Sequence, residues 1–205
     1  VRRITKTRRE FAVTPEYRPM LCILDTGLDL SHPDFRVLPA EQARDFSDSG
    51  TVMDIDGHGT HVTGIAVGNG DASNGRFSGL AVGSRLVVGK VLGESGIGSN
   101  DSVIAGLDWA VDADVDIINL SLGSTLGLPI LDPVAHACER IHQDFGIQVC
   151  AAAGNNGELS GPRADYTETI SSPAIAPGVI AVGAVDEKGG LADFSARGSP
   201  LTGNL

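Results

Sequence analysis

Five short apolar runs alternate with longer stretches of helical periodicity, and this alternation limits the fold more than any other feature of the chain. The runs occupy residues 20–24, 86–91, 115–120, 147–152 and 179–182. Each is too short for an independent helix and nearly continuously apolar, so each reads as a strand buried on both faces. Such strands are typical of parallel sheets covered on both sides. Between them, residues 58–66 read as a helix with Val62, Ile65 and Ala66 on one side. Ser99 is placed to cap a second helix, in which Val103, Ile104, Leu107 and Val111 recur at helical spacing. Asp132-Pro133 pairs an N-cap residue with a proline at the first helical position. Val134, Cys138, Ile141 and Phe145 then form an apolar stripe that Gly146 terminates. Residues 69–78, rich in Gly, Asn and Ser, read as a loop. The sum is an α/β fold: a three-layer, mostly parallel sheet with helices on both faces. Sites in such sheets gather at the C-terminal ends of strands. That rule predicts one rim carrying Asp25, Ser121 and Asn155, which all follow strand runs.

A chain of 205 residues that is 41% hydrophobic can bury one substantial core. The formal net charge is −11, although Arg2, Arg3, Lys6, Arg8 and Arg9 crowd the first ten residues. The remainder is therefore strongly acidic, which argues against nucleic acid as a partner. No apolar stretch reaches transmembrane length, so no membrane span is expected. Cys22, Cys138 and Cys150 sit in apolar runs without metal-like spacing and read as buried free thiols.

Several residues have side chains suited to chemistry. Asp25, at the end of the first run, is followed by Thr26 and Gly27, so a carboxylate can be aimed from a strand end at a sharp turn. A turn-forming Asp would look the same. His58 stands between Gly57 and Gly59 at a helix start. A carboxylate and an imidazole are two of the three groups that activate a serine hydroxyl. His58 with His61 lacks the Glu of the helical zinc pattern, so no metal site is expected. Asn155, in Ala151-Ala152-Ala153-Gly154-Asn155, has an amide able to donate to an oxyanion, or simply to a Gly-Asn turn. Ser121-Leu122-Gly123 and Gly96-Ile97-Gly98 offer backbone groups to an extended peptide, or are ordinary loop segments.

The ordered series of these segments resembles the subtilisin-like serine peptidases. The matching text is Ile23-Leu24-Asp25-Thr26-Gly27, Asp56-Gly57-His58-Gly59-Thr60-His61-Val62-Thr63-Gly64, Gly89-Lys90-Val91-Leu92, Asn119 to Gly123, Ala151 to Asn155, Val182 to Val185 and Phe194 to Gly198. The resemblance implies a subtilisin-like fold and hydrolysis of peptide bonds, with protein or peptide substrates and no catalytic cofactor. It further implies that Asp25 orients His58, that His58 is general base and acid, and that Asn155 donates to the oxyanion. Gly96, Ile97 and Gly98, with Ser121, Leu122 and Gly123, would flank the substrate backbone, and Ala152 and Gly154 would line the pocket for the residue before the cut. Ser172-Pro173 stands where relatives often carry a cis proline. A structural calcium is compatible with Asp45, Asp54 and the 69–78 loop, but no ligand spacing locates one.

One element of the pattern is absent. The family's nucleophile lies in a Gly-Thr-Ser-Met-Ala segment, which this sequence does not contain. Ser195 belongs to the text that precedes it, and Ser199 has no helix after it. The expectation is a basic segment over 1–19, with the character of a propeptide's end, and a partial peptidase domain over 20–205 whose C-terminal part is missing. Alone it is expected to be monomeric and inactive or nearly so. Secretion is the family habit, and an intracellular relative also fits. Two other readings compete. A peptide-binding pseudoprotease would bind without cutting, and a stop codon directly after Leu205 would favour it. An aspartic protease shares the Asp-Thr-Gly tripeptide but needs paired carboxylates on an all-β fold.

Overall fold

The computed structural model describes residues 18–35, 42–124, 132–157 and 170–198. The basic head and Ser199 lie outside the described residues. The chain falls into two compact units, 1–119 and 120–205.

The first unit is built on strands β1 (Met20–Asp25), β2 (Ala43–Asp45), β3 (Arg85–Lys90) and all but the last residue of β4 (Ile117–Leu120), in the order β2-β3-β1-β4. All the pairings are parallel, with Asp25 opposite Lys90 and Cys22 opposite Ile118. Helices α1 (His58–Val67) and α2 (Asn100–Asp112) cover the sheet. Side chains alternate along a strand, so Ile23 and Leu24 of β1 point to opposite faces. Ile23 packs with Leu28, Phe35, Leu86 and Val88 beneath Val62, Ala66 and Val67 of α1. Leu24 meets α2 at Gly106, where an added methyl would press on its side chain. This unit is therefore three layers deep. Asp25, two residues beyond Ile23, is directed to the face that α1 covers.

Helix α2 begins as its sequence predicts. Ser99 accepts from Ser102 N at 3.1 Å, and Ser102 Oγ accepts from Ser99 N at 3.1 Å, completing a capping box. Helix α1 differs in its face. Its buried residues are Gly59 and Thr63. At ~100° per residue, Ile65 falls nearly opposite Thr63 and is exposed, so the expectation for Ile65 is corrected.

The second unit contains α3 (Pro133–Phe145), β5 (Gln148–Ala152) and β6 (Ile180–Val182). Asp132 caps α3 by accepting from Val134 N and Ala135 N, and Gly146 ends it in the left-handed conformation. β5 and β6 are parallel, with Cys150 opposite Ile180. Ala135, Ile175 and Ala176 form a small core with Ile170 and Val179. The Ser172-Pro173 peptide is cis. Two departures appear here. Phe145 is exposed, so the packed stripe of α3 ends a turn before the helix does, and Ile180 and Val182 are exposed although their run reads as a buried strand.

Candidate active site

Asp25 ends β1 fully buried, and Gly27, with φ of 111°, turns the chain sharply away from it. His58 is the first residue of α1, and its side chain is 46% exposed. The two meet: His58 Nδ1 lies 2.7 Å from Asp25 Oδ1. The same oxygen accepts from Thr26 N at 2.7 Å. Asp25 Oδ2 is buried and has no hydrogen-bond partner among the described residues. Burial pushes the Asp25 carboxyl above its ordinary range, against the opposing pull of the His58 and Thr26 hydrogen bonds. A carboxylate in this position fixes the Nδ1–H tautomer and leaves Nε2 of the ring free to take a proton.

The position of His58 depends on the start of α1. The first backbone N–H groups of any helix lack partners within it. Here the N-cap is Gly57, which has no side chain to supply one. The partners come from outside the helix. Gly57 N donates to Asp54 Oδ1 at 2.8 Å, and His58 N donates to Asp56 Oδ1 at 3.2 Å. Gly59 N donates to Thr26 Oγ1 at 2.8 Å, and Thr60 N donates to Asp54 Oδ2 at 2.8 Å. The Thr60 and Thr26 hydroxyls also donate to Asp54, at 2.7 and 2.8 Å. Burial raises the Asp54 carboxyl, but the hydrogen bonds from Thr60, Gly57 and Thr26 outweigh it and hold this group below the ordinary range. Gly59 permits the contact. An added methyl there would overlap the Gly27 carbonyl oxygen and stand 3.2 Å from Asp25 Cβ.

Sequence reading pairs Asp25 with His58 and misses this scaffold. Asp54 enters it only as an oxygen donor for calcium, yet both its oxygens accept from protein groups. Asp45 is similarly occupied, by Ser47 and Gly50. Among the described residues no group of three or more His, Cys, Asp or Glu is placed to hold a metal ion. A usable signal was the glycine preceding His58, because a helix that starts on glycine needs its caps from elsewhere.

Gly96, Ile97 and Gly98 form a loop between β3 and α2. Gly93 N donates to Ile97 O at 2.9 Å, so that carbonyl is already engaged, while the Ile97 side chain is exposed. The remaining candidates belong to the second unit. Ser121, Leu122 and Gly123 follow β4, and Ser124 N then donates to Ser172 O at 2.9 Å. Ala152 ends β5, Gly154 has φ of 108°, and Asn155 is exposed. Ala153 and Gly154 are tied in place by Ala153 N to Val182 O and Ala196 N to Gly154 O, each 2.9 Å. Ser195 is fully buried and its hydroxyl accepts from Ala184 N at 3.0 Å, so it does not suit a nucleophile.

Comparison with known proteins matches residues 18–204 to the subtilase family. The chain is 38% identical over 182 residues to the major intracellular serine protease of Bacillus subtilis strain 168, covering 85% of this chain and 53% of that protein. It is also 38% identical over 182 residues to a subtilisin of Bacillus pumilus, covering 88% of this chain and 62% of the relative. Among solved structures, sphericase matches at TM-score 0.69 and 32% identity, over 90% of this chain and 61% of that one. The prenylagaramide maturation protease PagA matches at TM-score 0.74 and 27% identity, over 98% and 65%. The chain thus spans roughly half to three-fifths of the length of these curated relatives.

Proposed function

Because this chain belongs to the subtilase family, we propose that it carries the acid–base half of a serine endopeptidase of the subtilisin type. His58 takes the proton of a serine hydroxyl as that oxygen attacks the peptide carbonyl, then returns it to the departing amine. Asp25 holds the ring in the required tautomer and stabilises the imidazolium. Asn155 donates to the oxyanion of the tetrahedral intermediate, a contribution of about 3 kcal/mol in such sites. Gly96, Ile97 and Gly98, with Ser121, Leu122 and Gly123, flank the substrate backbone, and Ala152 and Gly154 line the pocket for the residue before the cut. Substrates are proteins or peptides, and these proton transfers use no cofactor. We assign no nucleophile among the described residues. The likeness extends to a protein named for the cell interior, so the compartment is not fixed by family.

The observation carrying this reading is the 2.7 Å contact between a half-exposed imidazole and a fully buried carboxylate on separate elements. Its partner being an imidazole on an α/β scaffold, and not a second carboxylate, separates the site from an aspartic protease. The test is made on the natural gene product, assayed for peptide hydrolysis and for labelling by a serine-directed fluorophosphonate. His58→Ala is expected to reduce kcat by at least about 10⁴-fold and Asn155→Ala by about 10²–10³-fold, with KM little changed. Hydrolysis unaffected by His58→Ala, or blocked by pepstatin instead of the phosphonate, would overturn the proposal.

A further inference from the structure

We propose that Thr26 and Asp54 are positioning residues for the His58 imidazole, acting as a buried clamp that sets the Asp25–His58 contact. This inference rests on reading Asp25 and His58 as the catalytic pair. The two lie on separate elements, 33 residues apart in sequence, so their 2.7 Å contact depends on how the first turn of α1 is seated. Thr26 follows Asp25 directly, and Gly59 follows His58 directly. The bond from Gly59 N to Thr26 Oγ1, at 2.8 Å, therefore joins the residue after the acid to the residue after the base.

Proton counting makes this bond directional. The Thr26 hydroxyl has a single proton, and it goes to Asp54 Oδ1 at 2.8 Å. Its lone pairs are then left for Gly59 N. Asp54 also takes Gly57 N on the same oxygen, and Thr60 N and Oγ1 on the other. Four donors converge on Asp54, the Thr26 hydroxyl among them, and none can be reversed while that group is ionised. Thr26 is 1% exposed and Asp54 8%, so water does not readily replace a lost partner. Without the Thr26 hydroxyl, Gly59 N is buried and unpaired, and the turn carrying His58 loses its direct tie to the turn carrying Asp25.

The alternative is that these groups merely fasten α1, contributing stability without affecting the ring. Proton NMR of the chain separates the two, because a proton held between a carboxylate and an imidazole resonates far downfield of other signals. Asp25→Asn is expected to erase that resonance, assigning it to the pair. Thr26→Val keeps the side-chain shape, removes the hydroxyl, and is expected to lose or markedly shift the resonance. Thr26→Ser restores the hydroxyl and is expected to restore the signal. Ser99→Ala removes the α2 cap and is expected to lower stability while leaving the resonance in place. A folded Thr26→Val chain with an unchanged resonance overturns the clamp and leaves the catalytic pair intact. A resonance that survives Asp25→Asn overturns both. If Thr26→Val does not fold, the same measurement is made on Asp54→Asn, which keeps one acceptor oxygen: a lost or shifted resonance supports the clamp, and an unchanged one overturns it.

Discussion

Replacing Gly59 by alanine sets two physical effects against each other. Gly59 lies in the first turn of α1 with no positive φ, so backbone propensity alone favours Gly59→Ala by up to about 1 kcal/mol. Packing opposes it. The new methyl would overlap the Gly27 carbonyl oxygen and stand 3.1 Å from Gly27 N. Both are backbone atoms beside Asp25, with no flexible end to swing aside. Carbon–oxygen contacts settle near ~3.3 Å, so α1 must withdraw by roughly 1 Å. That movement would stretch Gly59 N to Thr26 Oγ1 from 2.8 Å, and His58 Nδ1 to Asp25 Oδ1 from 2.7 Å, past hydrogen-bonding range. Losing the buried Gly59–Thr26 bond costs about 1–3 kcal/mol, and losing the bond to the half-exposed His58 ring about 1 kcal/mol more. After the propensity gain, the net is a destabilisation of about 2 kcal/mol, or about 4–8 °C in Tm for a chain of this size. Urea and thermal melts of the two chains measure it. A Gly59→Ala chain as stable as the parent, or more so, would refute the reasoning and show that α1 is not pressed against the turn after Asp25.

Two further predictions use the titrating groups. Asp54 is held below its ordinary value, so its stabilising effect is full above about pH 5 and lost as pH falls through its folded value. Asp25 is raised, so its titration favours the fold below the ordinary carboxylate range, and that benefit is lost as pH rises through its folded value. In urea titrations between about pH 3 and 7, the stability gap between parent and Asp54→Ala should narrow toward acid, while the parent should gain on Asp25→Asn toward acid. Parallel slopes for the two variants would contradict the assignment. Burial pushes the Cys138 thiol, also under the charge of Asp132, up to about 12, and raises Cys22 still further. Cys150 is raised as well but only half-buried. In the native chain at about pH 8, a disulfide-exchange reagent should therefore modify at most Cys150, and slowly, with all three reacting in urea. Rapid native reaction of two or more thiols would show these residues to be accessible.

How much was legible depends on where the information sits in the chain. β1, β3, β4 and β5 are readable because each is a local apolar run, and the alternation of strands with helices then implies a covered parallel sheet. β2 is not readable. Ala43-Arg44-Asp45 contains no apolar run, and these three residues are held by ladder pairing to Val88, Gly89 and Lys90. The face of α1 is partly misread because its buried residues are Gly59 and Thr63, which contribute almost no hydrophobic signal, and Gly59 is pressed against the end of β1 and the turn after it. Apolar periodicity detects large buried side chains, whereas a close backbone approach is made with small ones. Hence Val62 and Ala66 are read correctly and Ile65 is not.

The same distinction applies to the site. Asp25 and His58 are visible because each carries its chemistry in its own side chain, within a recognisable local segment. The scaffold that joins them is distributed over Thr26, Asp54, Gly57, Gly59 and Thr60, and becomes readable only when the donors at the start of α1 are counted against their acceptors. The count also shows why two carboxylates are needed. If Asp25 both capped α1 and oriented His58, four extra donors would damp its charge and lower its carboxyl, weakening it as acceptor for an imidazolium. Asp54 takes those donors and is held low. Asp25, relieved of them, stays buried and raised, with one oxygen accepting from His58 and Thr26. Neighbouring acids pushed in opposite directions are a sign of divided roles. One fixes the backbone at the start of α1, and the other is left to accept from the His58 ring.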